Sequence, residues 1–348
     1  MLRILIVEDS SVVAILLKAI FEEEQDMQVV GHAKNGREGV QMAHDLKPDV
    51  ITMDIRMMVM DGFEATRMIM ADNPTPIVVV SSSVDNEELR ITFRAIEEGA
   101  LAVMEKPRGF GHPDFEKIRR DLVDTVRAMA GVKLFRGKKV ARAKEVAMPE
   151  ERVRLRTNGY ELLAIGCSTG GPQVLHRILS LLPVNFPVPI VVTQHISKGF
   201  VGGLVSWLSG NTLLKVKLAV QDEVLKAGVV YFAPDDQHLR ITRGVLGLMV
   251  DLSQDPICNG FRPSVSVMFK SIAETCQARA IGVLLTGMGM DGADGLLALR
   301  KAGSHTVVQD EVSAVVYGMP GAAIALDAVD QKVEADKMSA YFSRLVHQ

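Results

Sequence analysis

Short apolar runs alternate with amphipathic stretches along most of the chain, and this alternation predicts its secondary structure. In the first part of the chain the apolar runs lie at residues 2–7, 27–30, 50–53, 77–80 and 101–104. Helical spacing of apolar residues fills the intervals, at 12–23, 36–45, 62–71 and 87–98. Five short buried strands separated by helices predict a parallel, doubly wound α/β sheet, which a helical pattern at 112–129 closes.

The same alternation resumes in the second half of the chain. Apolar runs at 162–167, 189–194 and 280–286 each end in a turn rich in glycine or polar residues. We therefore expect two α/β domains with doubly wound parallel sheets, at residues 1–125 and 158–348, joined by a linker at 126–157.

The linker contains a strongly basic run at residues 133–144. An arm that binds nucleic acid is one interpretation of such a run. The run has no interleaved aromatic pattern for base stacking and lies between two predicted domains, so a charged hinge is the interpretation we adopt.

Composition and charge narrow the class of protein. The 348 residues are 48% hydrophobic and 23% charged, with a formal net charge of −3, which is typical of globular protein and gives no reason to expect nucleic acid or an anionic membrane as partner. The three cysteines show neither metal-site nor disulfide spacing. No signal peptide or bilayer-spanning apolar run is present, so we expect a cytoplasmic monomer without membrane insertion.

Several polar residues follow the strands of the first domain. Glu8 and Asp9 follow the first strand and Asp54 follows the third, while Ser81 and Lys106 follow the fourth and fifth. Because the carboxyl ends of parallel strands share one sheet edge, these groups are expected to converge. Carboxylate oxygens suit Mg²⁺, and a lysine and a hydroxyl beside them would suit a phosphoryl group.

This pattern resembles the receiver domain of bacterial response regulators, whose sheet is flavodoxin-like, over nearly all of residues 1–125. The resemblance implies that Asp54 accepts a phosphoryl group from a histidine kinase, with Mg²⁺ held by Glu8, Asp9 and Asp54. It also implies that Lys106 pairs with the phosphate and that Ser81 is the switching hydroxyl.

Two positions depart from the receiver pattern. Met58 stands where the loop after Asp54 usually has proline, and Val103 replaces the switch aromatic three residues before Lys106. The second departure leaves the phosphorylation site intact and removes the aromatic side chain from the signalling step.

The turn at residues 166–172, Gly-Cys-Ser-Thr-Gly-Gly-Pro, joins a strand pattern to a helix pattern. It satisfies Gly-x-Ser-x-Gly, the signature of a nucleophile elbow. A tight turn without chemistry is the alternative, whereas a dinucleotide-binding loop needs glycine at the position of Ser168. Adjacent strand residues face opposite sides, so we expect Ser168 in the site and Cys167 in the core.

A histidine and an aspartate follow two further strands of the second domain. His195 ends the 189–194 run, and Asp291 comes after a glycine-rich turn that follows the 280–286 run. A serine hydroxyl needs a base, and the base needs a carboxylate to orient it, so Ser168, His195 and Asp291 make a candidate triad. His238 also follows a strand-like run and is the alternative base.

The order Ser, His, Asp along the chain differs from that of α/β-hydrolases. Four segments instead look like those of the chemotaxis protein-glutamate methylesterase and protein-glutamine glutaminase, the CheB family, in which a receiver domain precedes the catalytic domain. They are residues 166–172, 193–195, 262–265 and 285–293, and the resemblance extends over about 160–345. Ser266 departs from the aspartate usual in that family, which affects either packing or substrate contact.

The resemblance implies an esterase activated by phosphorylation and acting in bacterial chemotaxis. Its substrates would be glutamyl γ-methyl esters and selected glutamines on the cytoplasmic helices of chemoreceptors, and its phosphodonor the chemotaxis histidine kinase. Backbone N–H groups of Thr169 and Met288 would stabilise the oxyanion. The esterase reaction itself would need no cofactor.

Two other functions stay open on sequence alone. A response regulator whose second half binds DNA shares the receiver pattern, although the second half has no basic recognition-helix pattern. An enzyme with the same chemistry in another receptor pathway would look the same. The sequence names neither the receptor nor the kinase.

Overall fold

The computed structural model describes residues 1–82, 86–109, 111–132 and 159–346, and for residues 86–91 it describes the backbone alone. The basic run at 133–144 and most of the predicted 126–157 linker lie outside the described residues, so the charged hinge stays a prediction.

The first domain is a five-stranded parallel sheet with helices on both faces. Its strands are β1 (Leu2–Val7), β2 (Met27–Ala33), β3 (Val50–Met53), β4 (Ile77–Ser81) and β5 (Ala102–Glu105). Its helices are α1 (Ser11–Glu22), α2 (Gly36–Leu46), α3 (Gly62–Asp72), α4 (Asn86–Glu97) and α5 (Phe115–Ala130). The strand order β2-β1-β3-β4-β5 is the flavodoxin-like order, so the predicted fold class is confirmed.

Strands β1 and β3 have the predicted bounds, whereas β2 continues three residues further. Helix α5 ends at Ala130, beyond the boundary at residue 125 that the sequence predicted. Its apolar side packs on the sheet through residues as far along as Val126 and Met129, so the helix belongs to this domain to its end.

The second domain is built on a seven-stranded parallel sheet of order β14-β13-β12-β6-β7-β9-β8. Its strands are β6 (Leu162–Cys167), β7 (Ile190–Gln194), β8 (Lys215–Leu218), β9 (Val229–Phe232), β12 (Ala280–Leu284), β13 (His305–Gln309) and β14 (Gln331–Val333). Strands β10 (His238–Gly244) and β11 (Gly247–Ser253) form a separate antiparallel hairpin. The helices are α6 (Gly171–Leu179), α7 (Val201–Gly210), α8 (Val265–Cys276), α9 (Ala293–Lys301), α10 (Gly318–Ala325) and α11 (Met338–Val346).

Strand β6 lies at the topological switch point of this sheet. The chain leaves β6 towards β7 on one side and returns to β12 on the other, and the three strands are parallel neighbours. At such a point the loops after adjacent strands separate and leave a crevice at the carboxyl edge. The turns after β6, β7 and β12 therefore border one crevice.

The two domains contact each other through α4 and α7. The Trp207 indole N–H donates a hydrogen bond of 2.6 Å to Glu97 Oε1, and the Phe93 and Trp207 rings stack with centroids 6.0 Å apart. Val315 and Val316, from the segment before α10, pack against the receiver-side apolar cluster between the first sheet and helices α1 and α5. No helix in the described ranges is both long and apolar enough to cross a bilayer.

Candidate active site and phosphoacceptor site

The serine turn follows a strand that is buried along its whole length. Strand β6 ends at Cys167, and α6 begins at Gly171, whose N–H donates to the Ser168 carbonyl at 2.8 Å. Gly170 has φ 79°, and a Cβ there would lie 2.7 Å from Val315 Cβ, so only glycine fits. Ser168 retains 8% exposure at the carboxyl edge of the sheet.

Cys167 lies in the core, behind Ser168. Its side chain is fully buried, its thiol donates to Gln194 Oε1 at 3.0 Å, and burial raises the pKa of that thiol far above its usual range. A thiol that stays protonated is a poor nucleophile. Of the two reactive residues in the turn, the hydroxyl of Ser168 is thus the one placed at the crevice.

His195 and Asp291 are in direct contact. His195 Nε2 lies 2.9 Å from Asp291 Oδ2, and their side chains are 4% and 0% exposed. Because an ionised carboxylate only accepts hydrogen bonds, the proton of a neutral imidazole lies on Nε2. The lone pair is then on Nδ1, which is buried and has no partner among the described residues, Ser168 included. Nδ1 is therefore the nitrogen available to act as a base.

The carboxylate of Asp291 is a convergence point for donors from the amino-terminal end of α8 and the loop before it. Besides His195 Nε2, the donors are Asn259 Nδ2 (3.2 Å), Ser264 Oγ (2.8 Å), Val265 N (2.7 Å) and Ser266 N (3.2 Å). Burial alone would raise the pKa of Asp291, but these hydrogen bonds, led by that from His195, hold it well below its usual range. The group therefore stays charged.

Ser266 is fully buried beside this carboxylate. Its hydroxyl donates to Asp294 and accepts from the Gly292 N–H at 2.8 Å. The departure of Ser266 from the family pattern thus concerns packing around Asp291 and not a surface open to substrate.

His238, the alternative base, has both ring nitrogens occupied by backbone groups. Nδ1 accepts from the Ser264 N–H at 3.2 Å, and Nε2 lies 3.2 Å from the Pro256 carbonyl. The residue is completely buried. His238 therefore holds the loop that leads into α8 and has no nitrogen left for a substrate.

The loop after β12 lies directly against the serine. A Cβ on Gly287 would lie 2.7 Å from Ser168 Cβ, so the close approach requires glycine there. Within the described residues, the backbone N–H groups of Thr169 and Met288 donate to no acceptor. Two unused donors flanking the serine suit an oxyanion.

The residues predicted for phosphorylation also converge. Lys106 Nζ lies 2.8 Å from Glu8 Oε2 and 2.9 Å from Asp54 Oδ2. Burial opposes the charge on Lys106, but its hydrogen bonds to Glu8 and Asp54 outweigh burial and raise its pKa. Burial also raises the pKa of Glu8, and Lys106 offsets part of that effect. Ser81 lines the same pocket as Asp54 and Lys106.

The acidic residues fit a divalent cation. Ligand oxygens of Glu8, Asp9 and Asp54 all lie within 4.8 Å of one another, and Asp9 is exposed to solvent. An all-oxygen set that leaves room for water is what Mg²⁺ prefers.

Sequence reasoning missed three side chains at the triad. Asn259 and Ser264 bind Asp291, and the Phe261 ring stacks on His195. All three come from the segment between β11 and α8, which has no strand or helix pattern of its own. The Asn-Gly pair at 259–260 indicates a tight turn, and the segment 262–265 contains Ser264, but neither signal assigns a partner to His195 or Asp291.

Comparison with known proteins gives matches over both halves of the chain. The model of the CheB methylesterase family matches residues 163–342, and that of the response regulator receiver domain matches residues 4–112. Protein-glutamate methylesterase/protein-glutamine glutaminase 2 of Methanospirillum hungatei is 43% identical over 334 residues, covering 94% of this chain and 93% of the relative. The corresponding protein 4 of Myxococcus xanthus is 44% identical over 335 residues, covering 95% and 93%. The crystal structure of the Thermotoga maritima CheB methylesterase catalytic domain is 36% identical with a TM-score of 0.53, covering 54% of this chain and 100% of that one.

Proposed function

The chain belongs to the CheB methylesterase family, and we propose that it hydrolyses glutamyl γ-methyl esters of chemoreceptors and deamidates receptor glutamines during chemotactic adaptation. The observation that carries the proposal is the buried His195–Asp291 pair beside Ser168, at the crevice between β6, β7 and β12. The alternative function, a response regulator that binds DNA, would need a recognition helix in the second half of the chain. The methylesterase family model instead matches residues 163–342 of that half.

In this proposal Ser168 Oγ attacks the γ-carbonyl carbon of the ester while His195 Nδ1 takes the hydroxyl proton. The imidazolium then protonates the leaving methoxide, and methanol departs from the acyl-enzyme. Water, deprotonated by the same Nδ1, then attacks the acyl group, and the imidazolium returns that proton to Ser168 Oγ as the glutamate side chain is released. A receptor glutamine follows the same steps and releases ammonia.

Asp291 and two backbone groups would lower the barriers of these steps. The charged carboxylate orients the imidazole and stabilises the imidazolium. The N–H groups of Thr169 and Met288 are proposed to donate to the oxyanion, and the loss of one such donor costs about 2.7–4 kcal/mol of transition-state stabilisation.

We further propose that a chemotaxis histidine kinase phosphorylates Asp54 in the receiver domain. Glu8, Asp9 and Asp54 would hold Mg²⁺, which neutralises phosphoryl charge when bound. Lys106 is positioned to pair with a phosphate oxygen, and Ser81 lies in the same pocket. The new charge would draw Ser81 inward, whereas Lys106 already contacts Asp54.

Control of the esterase by docking is supported by two sets of contacts. Val315 contacts the serine turn at Gly170 and also packs against the receiver cluster, so receiver residues lie next to the crevice. Thr92 lines the Asp54 pocket, while Phe93 on the same helix stacks on Trp207. We propose that the unphosphorylated receiver blocks long receptor helices and that phosphorylation weakens this docking.

Release of radiolabelled methanol from methylated receptor membranes tests the activity. We expect Ser168→Ala to abolish release and Cys167→Ser, a matched change one residue earlier, to retain it because serine can still donate to Gln194. A Cys167→Ser protein that is dead beside an active Ser168→Ala protein would reverse the assignment. Equal release from all three proteins would refute the proposed esterase.

A further inference from the structure

We propose that the tight turn Cys258–Phe261 is a positioning element for the catalytic pair, with Phe261 orienting His195 and Asn259 orienting Asp291. This inference rests on the proposed esterase function. It assigns positioning roles to two residues that lie outside the strand-end turns and that act on His195 and Asp291.

The turn itself has a defined geometry. Cys258 and Phe261 are joined by two backbone hydrogen bonds, of 3.1 Å from the Cys258 N–H and 2.9 Å from the Phe261 N–H. Its central residues have positive φ, 53° at Asn259 and 85° at Gly260. Positive φ at both central positions, with the sequence Asn-Gly, is characteristic of a type I′ turn. Such a turn fixes the directions of the side chains on either side of it.

Phe261 lies flat on the imidazole of the proposed base. The ring centroids of His195 and Phe261 are 3.7 Å apart and the planes differ by 2°. A parallel neighbour at this distance restricts rotation of the imidazole about its Cβ–Cγ bond. The ring therefore stays in the plane in which Nε2 meets Asp291 and Nδ1 remains available. The face of Phe261 also attracts the imidazolium that forms when Nδ1 takes the serine proton.

Asn259 fixes the other member of the pair. Its amide Nδ2 donates to Asp291 Oδ1 at 3.2 Å and to Ser266 Oγ at 3.1 Å, whereas His195 bonds to Oδ2. The two oxygens of the carboxylate thus have separate partners. The amide of Asn259 helps to prevent rotation of the carboxylate, which would take Oδ2 away from the imidazole.

A role in packing alone does not account for Phe261. The residue is only partly buried, and among the described residues it belongs to none of the three apolar clusters that form the cores. Ile257, on the same segment, is 63% exposed. The main ring contact of Phe261 is the imidazole of His195.

The test compares Phe261→Leu, Phe261→Tyr and Asn259→Gly in the full-length chain, with Ile257→Ala as the control on the same loop. Loss of the stacked ring is expected to lower kcat by about two- to thirtyfold, the range of a cation–π contact. KM should change little, because the proposed role of Phe261 is exerted on His195 and not on the substrate. Tyrosine keeps the ring face and should restore kcat.

Asn259→Gly removes the amide side chain but leaves the turn intact, since glycine adopts positive φ without strain. The variant therefore tests the side chain alone. We expect it to lower kcat by about tenfold, the lower end of the range for loss of one hydrogen bond to a charged group. Ile257→Ala should match the parent protein in both constants.

Parental kcat in both Phe261→Leu and Asn259→Gly, with Ser168→Ala inactive, overturns the inference and leaves the proposed function standing. So does a Phe261→Tyr protein as slow as Phe261→Leu. If Phe261→Leu fails to fold, the other two variants still decide. Parental kcat in Phe261→Tyr together with a lower kcat in Asn259→Gly supports the inference, and any other pair of results rejects it. A parent protein that releases no methanol refutes the proposed function instead.

Discussion

Removing one carboxylate at the domain interface should activate the unphosphorylated protein. Glu97, the last residue of α4, accepts hydrogen bonds from Trp207 Nε1 at 2.6 Å and from Asn211 Nδ2 at 3.1 Å. Trp207 is 1% exposed in the docked state, so its N–H depends on Glu97 for a hydrogen bond there. Glu97→Ala therefore destabilises the docked state and leaves the undocked state, in which water reaches the indole, nearly unchanged.

The size of the effect follows from the kind of bond. A hydrogen bond to a charged group contributes about 1.5–3 kcal/mol, and because Glu97 itself is exposed we take the lower value. About 1.5 kcal/mol is a little over a tenfold change in the docking equilibrium. Coupling between sites is typically about 1–3 kcal/mol, so this single contact would account for a large part of the control.

The assay is the initial rate of methanol release from methylated receptor membranes without a phosphodonor. We expect Glu97→Ala to be about tenfold faster than the parent, with a ceiling set by a protein that lacks residues 1–150. Glu98→Ala, with the same charge change one residue further along the chain, is the matched control and should stay at the parental rate. Equal rates for Glu97→Ala and Glu98→Ala would contradict the docking proposal, and so would a truncated protein slower than the intact one.

Three further predictions concern the triad, the phosphoacceptor and the interface. Ser168→Ala and His195→Ala should each lower kcat for methanol release by about 10⁶-fold, and the double variant should lose no more than either single one. Asp291→Asn should lower kcat by a smaller factor. Asp54→Ala should take no label from a small phosphodonor and should keep the basal esterase rate when the donor is added; label remaining in this protein would move the acceptor elsewhere. The ring of His176, in α6, lies 5.0 Å from the ring of Trp207 at the interface, and burial lowers its pKa. The unfolded chain therefore binds the proton of this histidine more readily below about pH 6.5, and the free energy of unfolding in urea should fall from pH 7 to pH 5, less so in His176→Gln.

Much of the fold could be predicted because its buried strands are short apolar runs between clear breaks. Strand β1 was predicted to the residue for this reason, and the turns placed Ser168, His195 and Asp291 at one sheet edge. Parallel topology then brings the ends of adjacent strands together without further information. The hairpin β10–β11 was not predicted, although buried residues alternate with more exposed ones along it, at Leu239 and Ile241 in one strand and at Leu248 and Val250 in the other.

The detail of the candidate site could not be predicted, because it depends on contacts between distant segments. Which imidazole nitrogen faces Asp291 depends on the ring orientation, which Phe261 fixes from a loop far along the chain. The pattern of a histidine after a strand also fitted His238, which the sequence left as the alternative to His195. Only the hydrogen bonds of His238 to Ser264 N and the Pro256 carbonyl distinguish a structural imidazole from a free base.

The packing around the serine favours control by covering the site over control by distorting it. Strand β6 is buried throughout, and Gly287 approaches Ser168 so closely that a single added carbon would collide with it. Close-packed interiors of this kind have low compressibility and do not deform easily. Movement of the receiver would therefore leave the position of Ser168 nearly unchanged. Val315 lies between this turn and the receiver cluster. Undocking would therefore open the approach to an already assembled site, and the gain in activity would depend on the length of the substrate helix that the receiver excludes.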